Sequence, residues 1–360
     1  MQGADERVVR EAVESGDALP GGGGFAGELD GALIRDVLGR YPLYAERGVS
    51  DPVDAWSHDP TALEDPVSVP AGHAWDAGGR RKLWTLPDPD PFADRETAVE
   101  SVRNAVETSV DAADADGLAI AFSGGLDSAL LAARLDAPLY VAGFPESHDI
   151  EAARSAADLL DRELRVVELT HAAIERAVPE IAAATGRTNA MAVQIALPLY
   201  LTAERVASDG FSRLALGQGA DELFGGYAKV AKAPEDPRVE AETVRGAQRE
   251  VLETLPEQLP RDVLALRAAG VEPVTPLLHD RVVSAALRLD DGMLVDGETR
   301  KWALRRAARH SLPDAISTRE KKAAQYGSLA SRELDRLARQ AGYKRRMDDH
   351  VTRYVESLVE

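Results

Sequence analysis

The stretch Ser123-Gly-Gly-Leu-Asp-Ser128 decides the fold, because it joins an apolar run, residues 118–122, to a second apolar run that starts at Ala129. A strand, a glycine loop and a helix in this order are typical of phosphate binding, since glycines let backbone N–H groups approach an anion. Asp127 would repel a bare polyphosphate unless Mg²⁺ lies between them. We therefore expect a loop that binds a magnesium nucleotide through Ser123, Gly124, Gly125, Asp127 and Ser128.

The apolar pattern alternates between strand and helix after residue 95. Short apolar runs predict strands at 118–122, 139–144, 164–169 and 213–216. A helical period predicts helices at 96–113, 150–160, 172–184 and 190–207, and further helices at 239–254, 280–289, 299–310 and 328–341. This order predicts an α/β fold with a doubly wound parallel sheet and a helical C-terminal part, whose ligand lies at the carboxyl ends of the strands.

A proline-rich segment divides the chain. Three prolines lie between Thr85 and Phe92, so we expect a linker at residues 85–95. The residues before it, 1–84, contain short alternating stretches and glycine turns, which predict a small α+β domain. Residues 96–360 then form the α/β domain. The run Gly21–Gly24 is interpreted as a flexible turn without a phosphate role.

The composition is strongly acidic and free of cysteine. Aspartate and glutamate number 61 against 42 lysine and arginine residues, which gives a net charge of −19. This balance is typical of proteins that work in strong salt, and it lowers the weight of charge as an argument against nucleic acid as a partner. The absence of cysteine excludes disulfides, thiolate metal sites and a cysteine nucleophile in this chain. Lysine is scarce and therefore notable where it occurs: Lys82, Lys229, Lys232, Lys301, Lys321, Lys322 and Lys344.

Neither a signal peptide nor a membrane span is visible in the sequence. No apolar run reaches the length that a bilayer requires, and the first residues have neither a basic nor an apolar segment. We therefore expect a cytoplasmic protein without a membrane partner.

A second glycine loop, Gly217-Gln-Gly-Ala-Asp-Glu-Leu-Phe-Gly-Gly-Tyr227, follows the predicted strand at 213–216. Its adjacent carboxylates, Asp221 and Glu222, suit Mg²⁺. We expect Asp221 to complete the metal coordination begun by Asp127, and Gly217 to let the nucleotide lie against the backbone.

The two loops together resemble the synthetase domain of the asparagine synthetase family. That domain is a PP-loop N-type ATP pyrophosphatase with an adenine nucleotide alpha hydrolase-like fold. Further similar segments follow in the family's order: Gly143–Ala153, Pro276–Leu278, Arg300–Arg306 and Leu312–Gly327. The resemblance implies an ATP- and Mg²⁺-dependent ligase that converts a carboxylate to an acyl-AMP with release of pyrophosphate and then forms an amide, with aspartate and ammonia as substrates.

The resemblance also assigns single residues. Lys321 matches the family's lysine that neutralises charge on the adenylate and pyrophosphate, and Gly143 lies on the nucleotide side. Three positions depart from the family: Gln218 replaces a glutamate, His279 an aspartate, and Gln194 an arginine that reads the amino acid. We therefore expect Lys321, Gln218 and Asp221 to be catalytic, and Gln194, Glu222 and His279 to contact substrate.

Residues 25–84 resemble the family's glutaminase half more weakly, through Ile34–Tyr44 and Val69–Gly72. That half hydrolyses glutamine with an N-terminal cysteine, whereas this chain opens Met1-Gln2-Gly3. We expect a degenerate Ntn-type domain without this chemistry, so that ammonia comes from solution or from a separate glutaminase partner. A homodimer stays open. Three other functions also stay open: ring closure as in β-lactam synthetases, modification of tRNA or nucleobases, and an inert nucleotide-binding relative. We nevertheless expect no nucleic-acid partner, because PP-loop enzymes that modify tRNA usually carry cysteines or a basic appended domain, and this chain shows neither.

Overall fold

The computed structural model describes residues 1–233, 235–319 and 328–359. They form two compact units, residues 1–113, 217–260 and 275–311 in unit 1 and residues 114–216, 261–274 and 312–360 in unit 2. The strands are β1 Gln2–Gly3, β2 Phe25–Leu29, β3 Ala32–Arg35, β4 Tyr44–Glu46, β5 Trp56–Ser57, β6 Pro66–Ser68, β7 His73–Asp76, β8 Gly79–Lys82, β9 Leu118–Ala121, β10 Leu139–Gly143, β11 Leu164–Glu168, β12 Arg213–Ala215, β13 Glu272–Val274, β14 Val295–Asp296 and β15 Thr299–Arg300.

The described helices are α1 Glu6–Ser15, α2 Arg95–Asp111, α3 Leu126–Ala132, α4 His148–Leu159, α5 His171–Thr185, α6 Ala190–Ser208, α7 Ala220–Leu223, α8 Ala228–Ala231, α9 Val244–Glu253, α10 Leu255–Ala268, α11 Asp280–Ala286, α12 Asp291–Leu294, α13 Trp302–Ala308, α14 Asp314–Ser317, α15 Ala330–Gln340 and α16 His350–Val359. Several begin at side-chain caps that the sequence supplies. Asp94 accepts from the N–H of Thr97 at the start of α2, and Asn189 accepts from Ala192 at the start of α6. In the described part of the chain no helix is long and apolar enough to cross a membrane.

Unit 1 contains antiparallel sheets and the helices of the middle of the chain. One sheet has the order β1-β2-β3-β7-β8, another the order β5-β4-β6, and β14 and β15 form a two-stranded hairpin. Phe25 and Trp84 pack edge to face in the core beneath the first sheet, with ring centroids 5.6 Å apart. The small α+β region expected before residue 84 is therefore folded, as part of a larger unit.

The proline-rich segment is held in place by arginines of unit 1. Arg249 donates to the carbonyls of Leu86 and Pro87, at 3.1 and 2.8 Å. Arg245 donates to the carbonyl of Pro89 at 2.6 Å and to the Asp88 carboxylate at 2.8 Å. Because its carbonyls are satisfied by fixed donors, this segment is an ordered strap. The proposed domain division at residues 85–95 stays a prediction.

Unit 2 is built on a five-stranded parallel sheet with the order β11-β10-β9-β12-β13. The register pairs Leu139 with Ile120 across β10 and β9, and Ala215 with Ile120 across β12 and β9. Counted from β9, the order is 3-2-1-4-5, which is the doubly wound arrangement, and its direction reverses between β9 and β12. The predicted α/β class is confirmed.

Both faces of this sheet are buried. Ala119, Tyr140 and Leu214 belong to the core that α5, α6, α15 and α16 cover. Alternate strand residues, Ile120 and Val141 among them, are buried outside that core. Because successive strand side chains point to opposite faces, helices must cover both sides of the sheet.

Two helix starts predicted from the sequence were wrong, and one strand was not predicted. The helix predicted at 299–310 begins only at Trp302, because residues 299–300 pair with 295–296 across a turn at Gly297. The helix predicted at 239–254 begins at Val244, after the cap Thr243. Strand β13 was not predicted, because three residues that include Pro273 carry no periodic signal.

Candidate active site

The glycine loop after β9 is the first group of candidate residues. Phe122 continues the strand by donating its N–H to the carbonyl of Tyr140 at 2.6 Å. The chain then turns at Gly124, whose φ is +69°, and enters α3 at Leu126. The hydroxyls of Ser123 and Ser128 lie 3.3 Å apart, and the N–H of Ser123 donates to the Ser128 hydroxyl at 3.2 Å. The five predicted residues 123, 124, 125, 127 and 128 are thus brought together on one turn, with Asp127 buried.

Gly124 is required both by its backbone and by its neighbour. A Cβ on this residue would lie 2.3 Å from the carbonyl oxygen of Ala152 in α4. The same oxygen accepts a hydrogen bond from Nη1 of Arg319 at 2.9 Å, and Nη2 of Arg319 lies 3.1 Å from the Ser155 hydroxyl. The loop and α4 are therefore in direct backbone contact, and only glycine permits it.

Gly143 ends β10 on the same edge of the sheet. A Cβ there would lie 2.3 Å from the hydroxyl of Ser147. Ser147 caps α4, since its hydroxyl accepts from the N–H of Ile150 at 3.4 Å. The absence of a side chain at Gly143 thus lets α4 begin directly beside the strand end. Its expected nucleotide contact stays a prediction.

The second loop follows β12 in the chain and belongs to unit 1. Gly219 has a φ of +97°, and a Cβ on it would lie 2.6 Å from Cδ2 of Leu278. The loop is closed by a hydrogen bond from the N–H of Gly226 to the carbonyl of Asp221, at 2.8 Å. The turn between α7 and Tyr227 is therefore tightly packed, and Gly217 and the half-buried Gln218 precede it.

Asp221 is paired with a lysine that the sequence gave no role. Nζ of Lys301 lies 2.7 Å from Oδ1 of Asp221, and the exposed fractions of the two side chains are 9% and 41%. The Lys301 backbone is left-handed, with φ 56° and ψ 38°, which costs about 1–2 kcal/mol for a residue with a Cβ. The sequence drew attention to Lys301 only through the scarcity of lysine and its place in the family-like segment Arg300–Arg306, and its partner lies eighty positions away.

The adjacent carboxylate, Glu222, is buried. Its Oε1 accepts from the Tyr227 hydroxyl at 2.5 Å. Burial, with the negative charge of Asp221, raises the pKa of Glu222 above its ordinary value. Of the two adjacent carboxylates, Asp221 is therefore the one open to solvent. The expected contact of Glu222 with substrate stays a prediction.

His279 caps α11 in unit 1. Its Nδ1 accepts from the N–H of Arg281 at 3.3 Å, which leaves the ring proton on Nε2. Burial, and then the charge of Arg281, lower the pKa of His279 below 6.5, so the ring is neutral at pH 7. The next residue, Asp280, is buried against Arg40, with Oδ1 2.7 Å from Nη1.

The remaining candidates are placed less fully. Gln194 lies in α6 and is mostly buried. Lys321 and Lys322 lie outside the described residues. The structure thus gathers the residues of the first loop in unit 2, and Gln218, Asp221, Glu222 and His279 in unit 1.

Asp127 and Asp221 suit a magnesium ion that is also bound by substrate phosphates and water. Within the described ranges, no group of three or more His, Cys, Asp or Glu residues could hold a metal by itself. Mg²⁺ usually takes one or two protein carboxylates together with water and substrate phosphates. Asp127, beside two hydroxyls, and the partly exposed Asp221 are oxygen donors of this kind.

The strand order and the glycine loop at the reversal of the sheet define a doubly wound α/β protein. Two overlapping segments, residues 99–250 and 231–357, match the sequence model of the asparagine synthase family. The chain therefore belongs to the asparagine synthase family.

Curated relatives support this membership. The chain is 30% identical over 281 residues to the putative asparagine synthetase [glutamine-hydrolyzing] 1 of Methanocaldococcus jannaschii, covering 68% of this chain and 52% of the relative. It is 27% identical over 331 residues to asparagine synthetase B [glutamine-hydrolyzing] of Escherichia coli, covering 83% and 59%. The chain spans somewhat more than half the length of these relatives.

Solved structures show a more distant likeness. The NMN synthetase of Francisella tularensis matches with a TM-score of 0.34 and 12% identity, over 74% of this chain and 94% of that one. The NH3-dependent NAD synthetase of Campylobacter jejuni matches with a TM-score of 0.30 and 12% identity, over 74% and 93%. Scores of this size carry no argument about function.

Proposed function

We propose that the chain is an ATP-dependent carbon–nitrogen ligase that activates a carboxylate as an acyl-adenylate and then converts it to an amide. The observation that carries this proposal is the glycine loop at the end of β9 in a member of the asparagine synthase family. The loop offers two hydroxyls 3.3 Å apart beside a glycine turn, in which Gly124 has a φ of +69°. Such a turn suits the oxygens of a polyphosphate.

In the first step, a substrate carboxylate oxygen attacks the α-phosphorus of ATP, and the bond to the bridging oxygen of pyrophosphate breaks. Ser123 and Ser128 donate hydrogen bonds to phosphate oxygens, and Asp127 and Asp221 are the proposed ligands of the magnesium of Mg-ATP. That ion would offset phosphate charge. By family resemblance Lys321 stabilises the charge that develops as pyrophosphate leaves, an interaction that favours the transition state.

In the second step, an amine attacks the acyl carbon and AMP leaves. We propose aspartate as the carboxylate and ammonia as the amine. Gln218 cannot remove a proton, because a neutral amide is not a base, so solution must supply NH3 and Gln218 orients it by a hydrogen bond. Gln194, Glu222 and His279 are the proposed contacts to the amino acid.

A substrate screen tests the reaction. Pyrophosphate release is measured in strong salt with ATP, Mg²⁺, ammonium and each of a panel of amino acids, and the product is identified by mass. We expect release with aspartate, asparagine as the product, and a rate that rises with pH as the NH3 fraction grows. Formation of aspartyl-AMP without asparagine at high ammonium and alkaline pH would exclude aspartate amidation. Equal rates with glutamine and with ammonium as the nitrogen source would exclude dependence on free ammonia.

A matched pair of variants tests the phosphate loop. Asp127→Asn removes the charge of a proposed magnesium ligand, and we expect ATP–pyrophosphate exchange to fall by about two orders of magnitude or more. Asp136→Asn is the control, because Asp136 is exposed in the same β9–α3–β10 crossover. Exchange above about a tenth of wild type in Asp127→Asn, where the control is unchanged, would contradict the assignment.

A further inference from the structure

Lys301 directly follows the β14–β15 hairpin, and two successive residues, Arg300 and Lys301, contact the Asp221 turn. Arg300 donates from Nη1 to the carbonyl of Gly226 at 2.8 Å. Lys301 reaches the Asp221 carboxylate itself, at 2.7 Å. One cation thus contacts the backbone of the turn and the next contacts its carboxylate. Lysine is seldom buried, so this pairing accounts for a lysine that is only 7% exposed.

Gly226 packs against both members of the pair. A Cβ on Gly226 would lie 2.0 Å from Oδ1 of Asp221 and 2.4 Å from Cε of Lys301. Gly226 is not among the glycines with positive φ, so alanine would be compatible with its backbone. The space that a side chain would need is filled by the ion pair and by the Asp221 backbone, whose Cα would lie 2.7 Å from the Cβ. The carboxylate is therefore confined by a cation on one side and by the turn on the other.

We propose that Lys301 is a positioning residue that holds the Asp221 carboxylate in the orientation required by the magnesium of Mg-ATP. This inference rests on the proposed function, in which Asp221 is a metal ligand. A carboxylate offers about four lone-pair sites, so a lysine on Oδ1 leaves capacity for a metal. Partners that orient a ligating carboxylate lower the cost of assembling the site, and their loss weakens metal affinity by about 10–100-fold. The exposed fraction of Asp221, 41%, keeps the carboxylate accessible.

The test measures binding without turnover. An ATP analogue with a methylene group between the α- and β-phosphorus atoms is titrated calorimetrically into the full chain at several Mg²⁺ concentrations. In Lys301→Met, which keeps the length and removes the charge, we expect the Mg²⁺ concentration for half-maximal binding to rise by about tenfold or more. Gly226→Ala should shift it in the same direction, because its methyl group would displace Asp221 and the Lys301 side chain from their present contact while both residue types are kept.

Two control variants isolate the effect. Lys82→Met makes the same substitution at an exposed lysine, and Gly23→Ala adds a methyl group where no atom lies within 4 Å. Both should keep the wild-type Mg²⁺ dependence. In an Asp221→Asn background, Lys301→Met should cause no further change, because the carboxylate that it positions is absent.

Two results would overturn the inference: an unchanged or lower Mg²⁺ requirement in Lys301→Met, or a full additional effect in the Asp221→Asn background. If Lys301→Met does not fold, as judged by circular dichroism, Gly226→Ala decides alone. Failure of the proposed function gives a different result, since the wild-type chain would then show no Mg²⁺-dependent binding of the analogue.

Discussion

At the scale of single residues, the glycine loop after β9 is shaped by a backbone contact that leaves no room for a side chain at Gly124. Gly124 combines a positive φ with a carbonyl oxygen 2.3 Å from where its Cβ would be. Gly186, which ends α5, has nearly the same φ, +65°, but no atom lies within 4 Å of its ideal Cβ. Alanine at Gly186 would therefore cause backbone strain alone, whereas alanine at Gly124 would cause the same strain and a steric clash with Ala152.

We expect Gly186→Ala to lower the stability of the protein by about 1 kcal/mol and to leave nucleotide binding unchanged. Gly124→Ala should lower stability further and weaken binding of the ATP analogue by about tenfold or more, because Ala152 and α4 must move away from the loop. Calorimetric titration and thermal unfolding of both variants check this. Equal effects of the two substitutions on binding would show that the close approach to α4 does not matter.

The sequence could identify candidate residues that lie within one short motif, and it could not predict contacts between residues that are far apart in the chain. Ser123 and Ser128 were found because six adjacent letters carry the whole pattern. Lys301 was not, because its contact with Asp221 depends on how a hairpin packs, and no spacing rule encodes that contact. Arg319 was missed for the same reason, since its acceptor is a helix carbonyl.

At the scale of secondary-structure elements, periodicity predicted the four strands and four of the five helices between residues 95 and 216, and the glycine loop predicted the fifth helix, α3. Long apolar repeats determine such elements locally. Strand β13 and the hairpin β14–β15 were missed, because strands of two or three residues carry no periodic signal. β13 forms by pairing with the distant β12, whereas β14 and β15 pair with each other across a short turn. Helix α10, which contains Pro260, was also missed.

Helices α15 and α16 are joined by a partly buried acid. Asp335 in α15 accepts from Arg345 at 2.7 Å and from His350 at 2.8 Å. These hydrogen bonds, with Arg345 as the larger cause, lower the pKa of Asp335 to about 2. A lowered pKa stabilises the folded state above the ordinary value of 3.8, and this stabilisation is lost as pH falls toward 2.

We therefore expect Asp335→Asn to lower the free energy of unfolding at pH 7 by something on the order of 2 kcal/mol. The difference from wild type should shrink as pH falls from about 4 to about 2, where the aspartate itself becomes protonated. Asp348→Asn, an exposed residue of the same connection, is the control. Denaturant unfolding at several pH values measures the difference, and one that persists undiminished at low pH would contradict the titration argument.

At the scale of the whole molecule, the net charge of −19 is the dominant property. Like charges repel in the compact state, and salt shortens the range of that repulsion from about 10 Å at 0.1 M to about 3 Å at 1 M. We expect the melting temperature to rise with KCl, most steeply below about 1 M, where screening changes fastest. Differential scanning calorimetry checks this, and a melting temperature that is flat or falling over that range would show that repulsion is unimportant.

The ion pair between Arg40 and Asp280 has a consequence for how this chain could have evolved. Asp280 lies inside the segment that matches the family, whereas Arg40 and the Gly21 and Gly22 N–H groups that also contact it, at 2.9 and 2.8 Å, lie before that segment. A buried acid that loses its cation destabilises a fold by about 3–5 kcal/mol. Mutations could therefore remove any chemistry that the early region once had, while deletion of the region would be selected against. Such a region can persist in a lineage purely as the counter-charge of its neighbour.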